Sequence, residues 1–221
     1  MSRFRLVLLG LLAVAAVSAV SAASASADSC NGGTHLVFCT SPGNLPLVGE
    51  TVSGLGGLAL LTSIIGGAEA KFDCSDFHAS GTLGELGAST GLLLFLNCKE
   101  EKPAGCKLSA ANEKEIDAHF NAQQETTGLA LDTGSGAGEE FTSLTVENKP
   151  GETCAANGAL KVTGKQMVET STGAGLSQTV TAKKAESFLK LGVEKATFSG
   201  VAPVHLSGAN ADANWLVMSG E

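Results

Sequence analysis

Three short stretches of the 221-residue chain are spelled like catalytic motifs. In Leu129-Ala130-Leu131-Asp132-Thr133-Gly134-Ser135 an aliphatic run leads into Asp-Thr-Gly, as in aspartic proteases. That chemistry needs two carboxylates sharing one proton, so a single copy works only as a homodimer or beside a second lobe. The chain holds no second Asp-Thr-Gly or Asp-Ser-Gly and no tyrosine for a flap, although Leu191-Gly192 lies where a one-lobed homodimer wants a hydrophobic-Gly pair. A turn accounts for the same residues, because Asp bonds its own backbone and Gly accepts positive φ. Gly87-Ala88-Ser89-Thr90-Gly91 fits the Gly-x-Ser-x-Gly nucleophile elbow. That elbow must end a strand and open a helix, whereas here an aliphatic run, Leu92 to Leu96, follows. Ser187-Phe188-Leu189-Lys190 spells Ser-x-x-Lys without the companion motifs of serine acylases.

Metal and ligand chemistry is equally thin. The four histidines, His35, His78, His119 and His205, are scattered. Asp73, Asp76 and His78 are close in sequence, but strand alternation puts 76 and 78 on one face and 73 on the other, leaving two local ligands where a metal needs more. No EF-hand or repeat-type calcium loop is spelled out. Neither a metal nor a cofactor is expected. Trp215 is the only tryptophan. It reads either as a core or edge-strand residue near a chain end, or as an exposed ring that stacks on sugar.

What must position these residues begins with the cysteines: Cys30, Cys39, Cys74, Cys98, Cys106 and Cys154. An even count with no C-x-x-C argues for three disulfides in an oxidising compartment. Six cysteines allow 15 pairings, and the preferred set is Cys30–Cys39, Cys98–Cys106 and Cys74–Cys154. The first two close local loops beside Pro42-Gly43 and Pro103-Ala104-Gly105. The competing set keeps the first and joins Cys74–Cys98 and Cys106–Cys154.

The N-terminus reads as an export signal. Arg3 and Arg5 precede an apolar run, Leu6 to Val20, and small residues end in Ala25-Ser26-Ala27, the pattern a signal peptidase accepts. Cleavage is expected after Ala27, and the run is shorter than the ~20 residues that span a bilayer. No lipid-modified cysteine pattern precedes Cys30, and no stable membrane insertion is expected once the signal is gone. Removing 27 residues leaves 194; without Arg3 and Arg5, 12 basic residues face 22 acidic ones, a formal −10. The mature part has no Arg and no Tyr. An acidic surface without guanidinium forks repels nucleic acid and anionic lipid, so neither is a partner.

Along the chain, 28–49 reads as an extended N-terminal arm and 50–221 as a single β-rich domain. Leu58 to Ile65, a Gly66-Gly67 break and Ala68 to Cys74 make a hairpin signal. Leu92 to Leu96 has the length of a core strand. Glu113 to Gln124 has helical propensity, but Ile116, Ala118, Phe120 and Ala122 alternate with polar residues, and the alternation should win. Leu144 and Val146, Leu160 and Val162, Leu189, Leu191 and Val193, and Ala202, Val204 and Leu206 repeat the period of two. Gly-rich separators with no long helical stripe imply an all-β fold, an antiparallel sandwich or barrel of short strands stapled by disulfides behind a cleaved signal helix.

This layout resembles uncharacterised secreted proteins found in several copies in some soil actinobacteria. The carrying features are the small-residue signal, the Gly-Gly strand leading into Cys74, Asn97-Cys98, the C-x7-C spacing to Cys106, Cys154 before a Val/Lys/Gly strand, and a C-terminal Leu-Ser-Gly-Ala-Asn. The resemblance implies a β-rich extracytoplasmic protein and no established activity. The expected role is therefore a secreted, non-enzymatic structural or interaction protein of the envelope or medium, with self-association through β-edges open and no partner written in the residues. The alternatives are a carbohydrate or small-ligand module built around Trp215, and an aspartic-protease-like homodimer using Asp132.

Overall fold

The computed structural model describes residue 30 and residues 37–125, 128–133 and 140–218. The expected signal segment with its cleavage after Ala27, and His35, lie outside them. Among the described residues thirteen strands follow one another: β1 (Val37–Ser41), β2 (Thr51–Gly56), β3 (Ala59–Ile65), β4 (Ala68–Leu83), β5 (Ser89–Lys102), β6 (Cys106–Leu108), β7 (Glu115–Glu125), β8 (Gly128–Asp132), β9 (Thr142–Asn148), β10 (Gly158–Thr170), β11 (Ser177–Leu191), β12 (Glu194–Leu206) and β13 (Asn214–Met218). One short helix, α1 (Ala110–Lys114), stands between β6 and β7.

The strands exist because their apolar residues recur every second position. In β12, Ala196, Ala202, Val204 and Leu206 are buried while Val201, Pro203 and His205 face out. β7 resolves the conflict between propensity and pattern. Ser109 caps α1 by accepting the Asn112 amide at 3.3 Å, but the helix ends at Lys114 and the period of two takes over from Glu115. The Gly66-Gly67 break is the expected hairpin turn between β3 and β4, both glycines having positive φ (58° and 80°), a conformation glycine adopts without penalty.

The choice between sandwich and barrel is decided by closure. Antiparallel pairing runs β12, β2 with β3, β4, β5, β7, β8, β10, β11 and back to β12. β2 and β3 lie end to end along β4, pairing Thr51–Gly56 with its Thr82–Phe77 half and Ala59–Ile65 with its Cys74–Ala68 half. β8 and β9 likewise lie end to end along β10. Each broken pair acts as one staggered strand, so eight strand positions close the ring. At this size side chains fill the interior or leave room for one small ligand. Closure also removes most free strand edges.

Two glycines, Gly81 and Gly91, oppose each other across β4 and β5. A Cβ on Gly91 would sit 2.4 Å from the Ser80 carbonyl oxygen and 2.5 Å from the Phe120 ring. Lower in the same pair of strands the inward face changes parity. Ala70, Phe72 and Cys74 point inward, then Phe77 and Leu83; on β5, Leu93 and Phe95 point inward, then Cys98. Asn97, at φ 52°, marks the level of the change.

Both barrel ends are covered. β1 and β13 form a two-stranded ribbon over the end where β4, β10 and β12 finish. At the opposite end α1, β6 and the segment between β9 and β10 close the mouth, with β6 paired to β9.

Two of the preferred disulfides are not made. Cys30–Cys39 forms as expected, but Cys98–Cys106 and Cys74–Cys154 give way to Cys74–Cys98 and Cys106–Cys154. The reason is register: Cys74 and Cys98 stand directly opposite on β4 and β5. Cys106 opens β6 next to Asn148, whose side chain accepts the Cys154 amide at 2.9 Å and holds that cysteine in reach.

Candidate functional site

The inward faces do not fill the ring. A cavity of about 80 Å³ lies among Phe72, Ile116, Leu144, Val162, Leu189 and their neighbours. A second, of about 110 Å³, lies toward the ribbon against Phe38, Phe77, Ala122, Ala202, Trp215 and Val217. Leu93, Leu131 and Phe198 belong to the walls of both and partition them. The space follows from residue size. Ala79, Ala122, Ala182 and Ala202 occupy inward positions around the second cavity where larger side chains would fill it, while Gly81 and Gly200 let Thr90 and Phe198 approach closely. A ladder of aromatic rings gives the walls their bulk: Phe77 to Phe95 at 5.6 Å, and Phe95 to Phe198 edge-on at 5.8 Å.

Trp215 seals the ribbon end. Its ring is 2% exposed and stands 6.4 Å from that of Phe38. Its carbonyl accepts the Gln178 side-chain amide at 2.6 Å and the Gly175 amide at 3.0 Å, while its own amide donates to Gly175. Gln178 is 1% exposed and fully used, donating also to Gly173 and accepting from Ser171 Oγ at 2.9 Å. The indole Nε1–H has no acceptor. Beside the first cavity, Gln166 anchors its Nε2 on the Met167 and Lys183 carbonyls, and its Oε1 is likewise unpartnered.

A third buried polar group lies toward the far end, where Glu100 pairs with Phe72 across β4 and β5. Neither of its carboxylate oxygens has a hydrogen-bond partner. Burial pushes its pKa up from 4.5 to about 7, against the pull of Lys149. The outer face behaves differently: hydrogen bonds from Lys102 and Lys71 hold the Glu69 and Glu101 carboxyls below the ordinary range.

The catalytic spellings do not assemble. Asp132 ends β8 on the barrel wall and accepts a hydrogen bond from Gln123 Nε2; Gly134 and Ser135 lie outside the described residues. Ser89 opens β5 directly after a 3-10 turn over Glu85–Gly87. That turn-then-strand order reverses the strand-then-helix order of a nucleophile elbow. Ser187 and Lys190 point to opposite faces of β11, and the Ser187 hydroxyl is spent on the Ala196 carbonyl and the Phe198 amide.

One expectation needs correction, and of the two readings of Trp215 the core one holds. Asp73 shares the outer face with Asp76 and His78, because the parity change intervenes; it pairs with Lys71 and Lys99 at 3.9 and 3.7 Å. Trp215 is no exposed platform for sugar stacking, since its ring belongs to the interior. Among the described residues no group of three His, Cys, Asp or Glu is arranged to hold a metal ion, and no helix is long and apolar enough to cross a membrane.

Sequence reasoning passed over Gln166, Gln178 and Glu100. The two glutamines carried a readable signal, each being a polar residue at an inward position of an alternating strand. Comparison with known proteins adds nothing to this geometry: no family model, curated protein or solved structure matches the chain.

Proposed function

We propose that the chain is exported and works outside the cytoplasm as a non-enzymatic binding protein that carries a small apolar molecule inside its barrel. The observation that carries this reading is the unfilled interior. Protein cores are packed to about 0.74 of their volume with few voids. The two cavities together leave about 190 Å³ open. At roughly 24 cal/mol per Å³ that space costs about 4–5 kcal/mol of stability, which a fitting ligand would restore. Benzene fills an apolar cavity of about 150 Å³, so against the roughly 110 Å³ of the larger cavity it sits at the upper size limit. The closed ring, the covered ends and the alanine-rich wall support containment better than surface display.

Export rests on the Arg3/Arg5, apolar and Ala25-Ser26-Ala27 pattern. The three disulfides fit an oxidising compartment.

The test is thermal unfolding of the disulfide-bonded protein with and without benzene. Ligand at 100 times its dissociation constant should add about 2.7 kcal/mol of stability. Ala122→Leu, which fills the second cavity, should abolish most of that gain while staying folded. An unchanged unfolding curve for the natural protein at saturating benzene overturns the reading.

A further inference from the structure

The indole N–H of Trp215 narrows the ligand class, on the premise that the cavities bind a ligand at all. A buried indole N–H almost always finds an acceptor, because leaving it unmade carries a full desolvation penalty. Here the side chain is 2% exposed, its Nε1 is unpartnered, and it forms part of the wall of the 110 Å³ cavity. The acceptors around the Trp215 backbone are already engaged. Gln178 Oε1 takes the Ser171 hydroxyl, the Gly173 carbonyl takes Gln178 Nε2, and the Trp215 carbonyl takes two amide donors. Ser80, Ser89, Thr90 and Thr170 also reach this wall, but all four retain solvent exposure, whereas the indole is sealed.

We propose that this cavity takes a compact neutral hydrocarbon frame bearing one hydrogen-bond acceptor, a ketone, ester or ether oxygen, and that Trp215 Nε1–H donates to it. Carbon walls and the lack of any nearby counter-ion exclude a charged ligand. The remaining surface of the molecule meets Phe38, Phe77, Ala202 and Val217, so its size is limited to about that of a five- or six-membered ring.

Cyclopentanone and its hydrocarbon isostere methylenecyclopentane test this directly. Trp215 is the only tryptophan, so the protein has a single indole ¹H–¹⁵N resonance. Cyclopentanone should bind about tenfold more tightly than methylenecyclopentane and move that resonance downfield. In Trp215→Phe the two affinities should converge while methylenecyclopentane still binds. If that variant fails to fold, the resonance of the natural protein decides alone. Equal binding of both probes with no downfield movement overturns the acceptor assignment and leaves the apolar-carrier reading standing. Binding of neither probe removes both.

Discussion

At the ribbon end, the cover is held to the barrel by hydrogen bonds and apolar contact: Gln178 and Gly175 on Trp215, and Phe38 against its ring. At the opposite end, Cys106–Cys154 ties β6 to the segment leading into β10. Cys30–Cys39 lies at the ribbon, yet it fastens residue 30 to β1 and crosses no seam between ribbon and barrel. Both links therefore lie within a cover: the far cover is locked into one piece by a 48-residue cross-link, and the ribbon carries only a 9-residue one. The indole-walled cavity sits under the ribbon.

The largest expected effect comes from the locked end. Removing the Cys106–Cys154 link with paired alanines opens a 48-residue closure. On the chain-entropy model that costs about 4 kcal/mol, against about 2.5 kcal/mol for removing Cys30–Cys39, whose separation is 9 residues. Urea unfolding measures both, and equal losses would erase the distinction between the two ends.

Next comes the latch. Gln178→Leu leaves the Gly173 and Trp215 carbonyls short of a donor and should cost about 2 kcal/mol. Amide exchange in β13 should then accelerate while that in β6 keeps its natural rate. Uniform acceleration across the barrel would mean that Gln178 supports the whole fold and not the ribbon.

The smallest effect sharpens the far end. Glu100 titrates near 4.5 when unfolded and near 7 in the fold, so between those values the folded protein holds the extra proton. Its contribution is fully present below about pH 4.5 and is lost as pH rises through 7. Allowing for partial solvent screening, the loss is about 1–2 kcal/mol by pH 8. Glu100→Gln should flatten that slope. A variant with the same pH dependence as the natural protein would assign the slope to another group.

The strands were legible because alternation is a local property. β7, β9, β11 and β12 each carry it in consecutive residues. The apolar run Leu92 to Leu96 has the length of a core strand. Yet Leu92, Leu94 and Leu96 are half-exposed on the outer face while Leu93 and Phe95 point inward. The disulfide partners were not legible, since Cys74 meets Cys98 through a register that depends on both whole strands. Closure is less local still, resting on β10 meeting β11 across a ring of other strands. For the site, Trp215 was visible but its environment was not. Its burial comes from Gly175, Gln178 and Phe38, and nothing near residue 215 in sequence names them.

The parity change in β4 and β5 has a consequence for how the gene can drift in length. Each strand carries one surplus residue at the same height, between Cys74 and Phe77 on one and between Phe95 and Cys98 on the other. A chain shortened by that one residue in β5 alone would restore strict alternation there, with Cys98 still inward and Lys99 and Glu101 still outward, and would leave the surplus on β4 as a one-sided bulge. Shortened in both strands together, the pair would become a regular ladder with Cys74 still opposite Cys98. This height can thus lose length without exchanging the inner and outer faces.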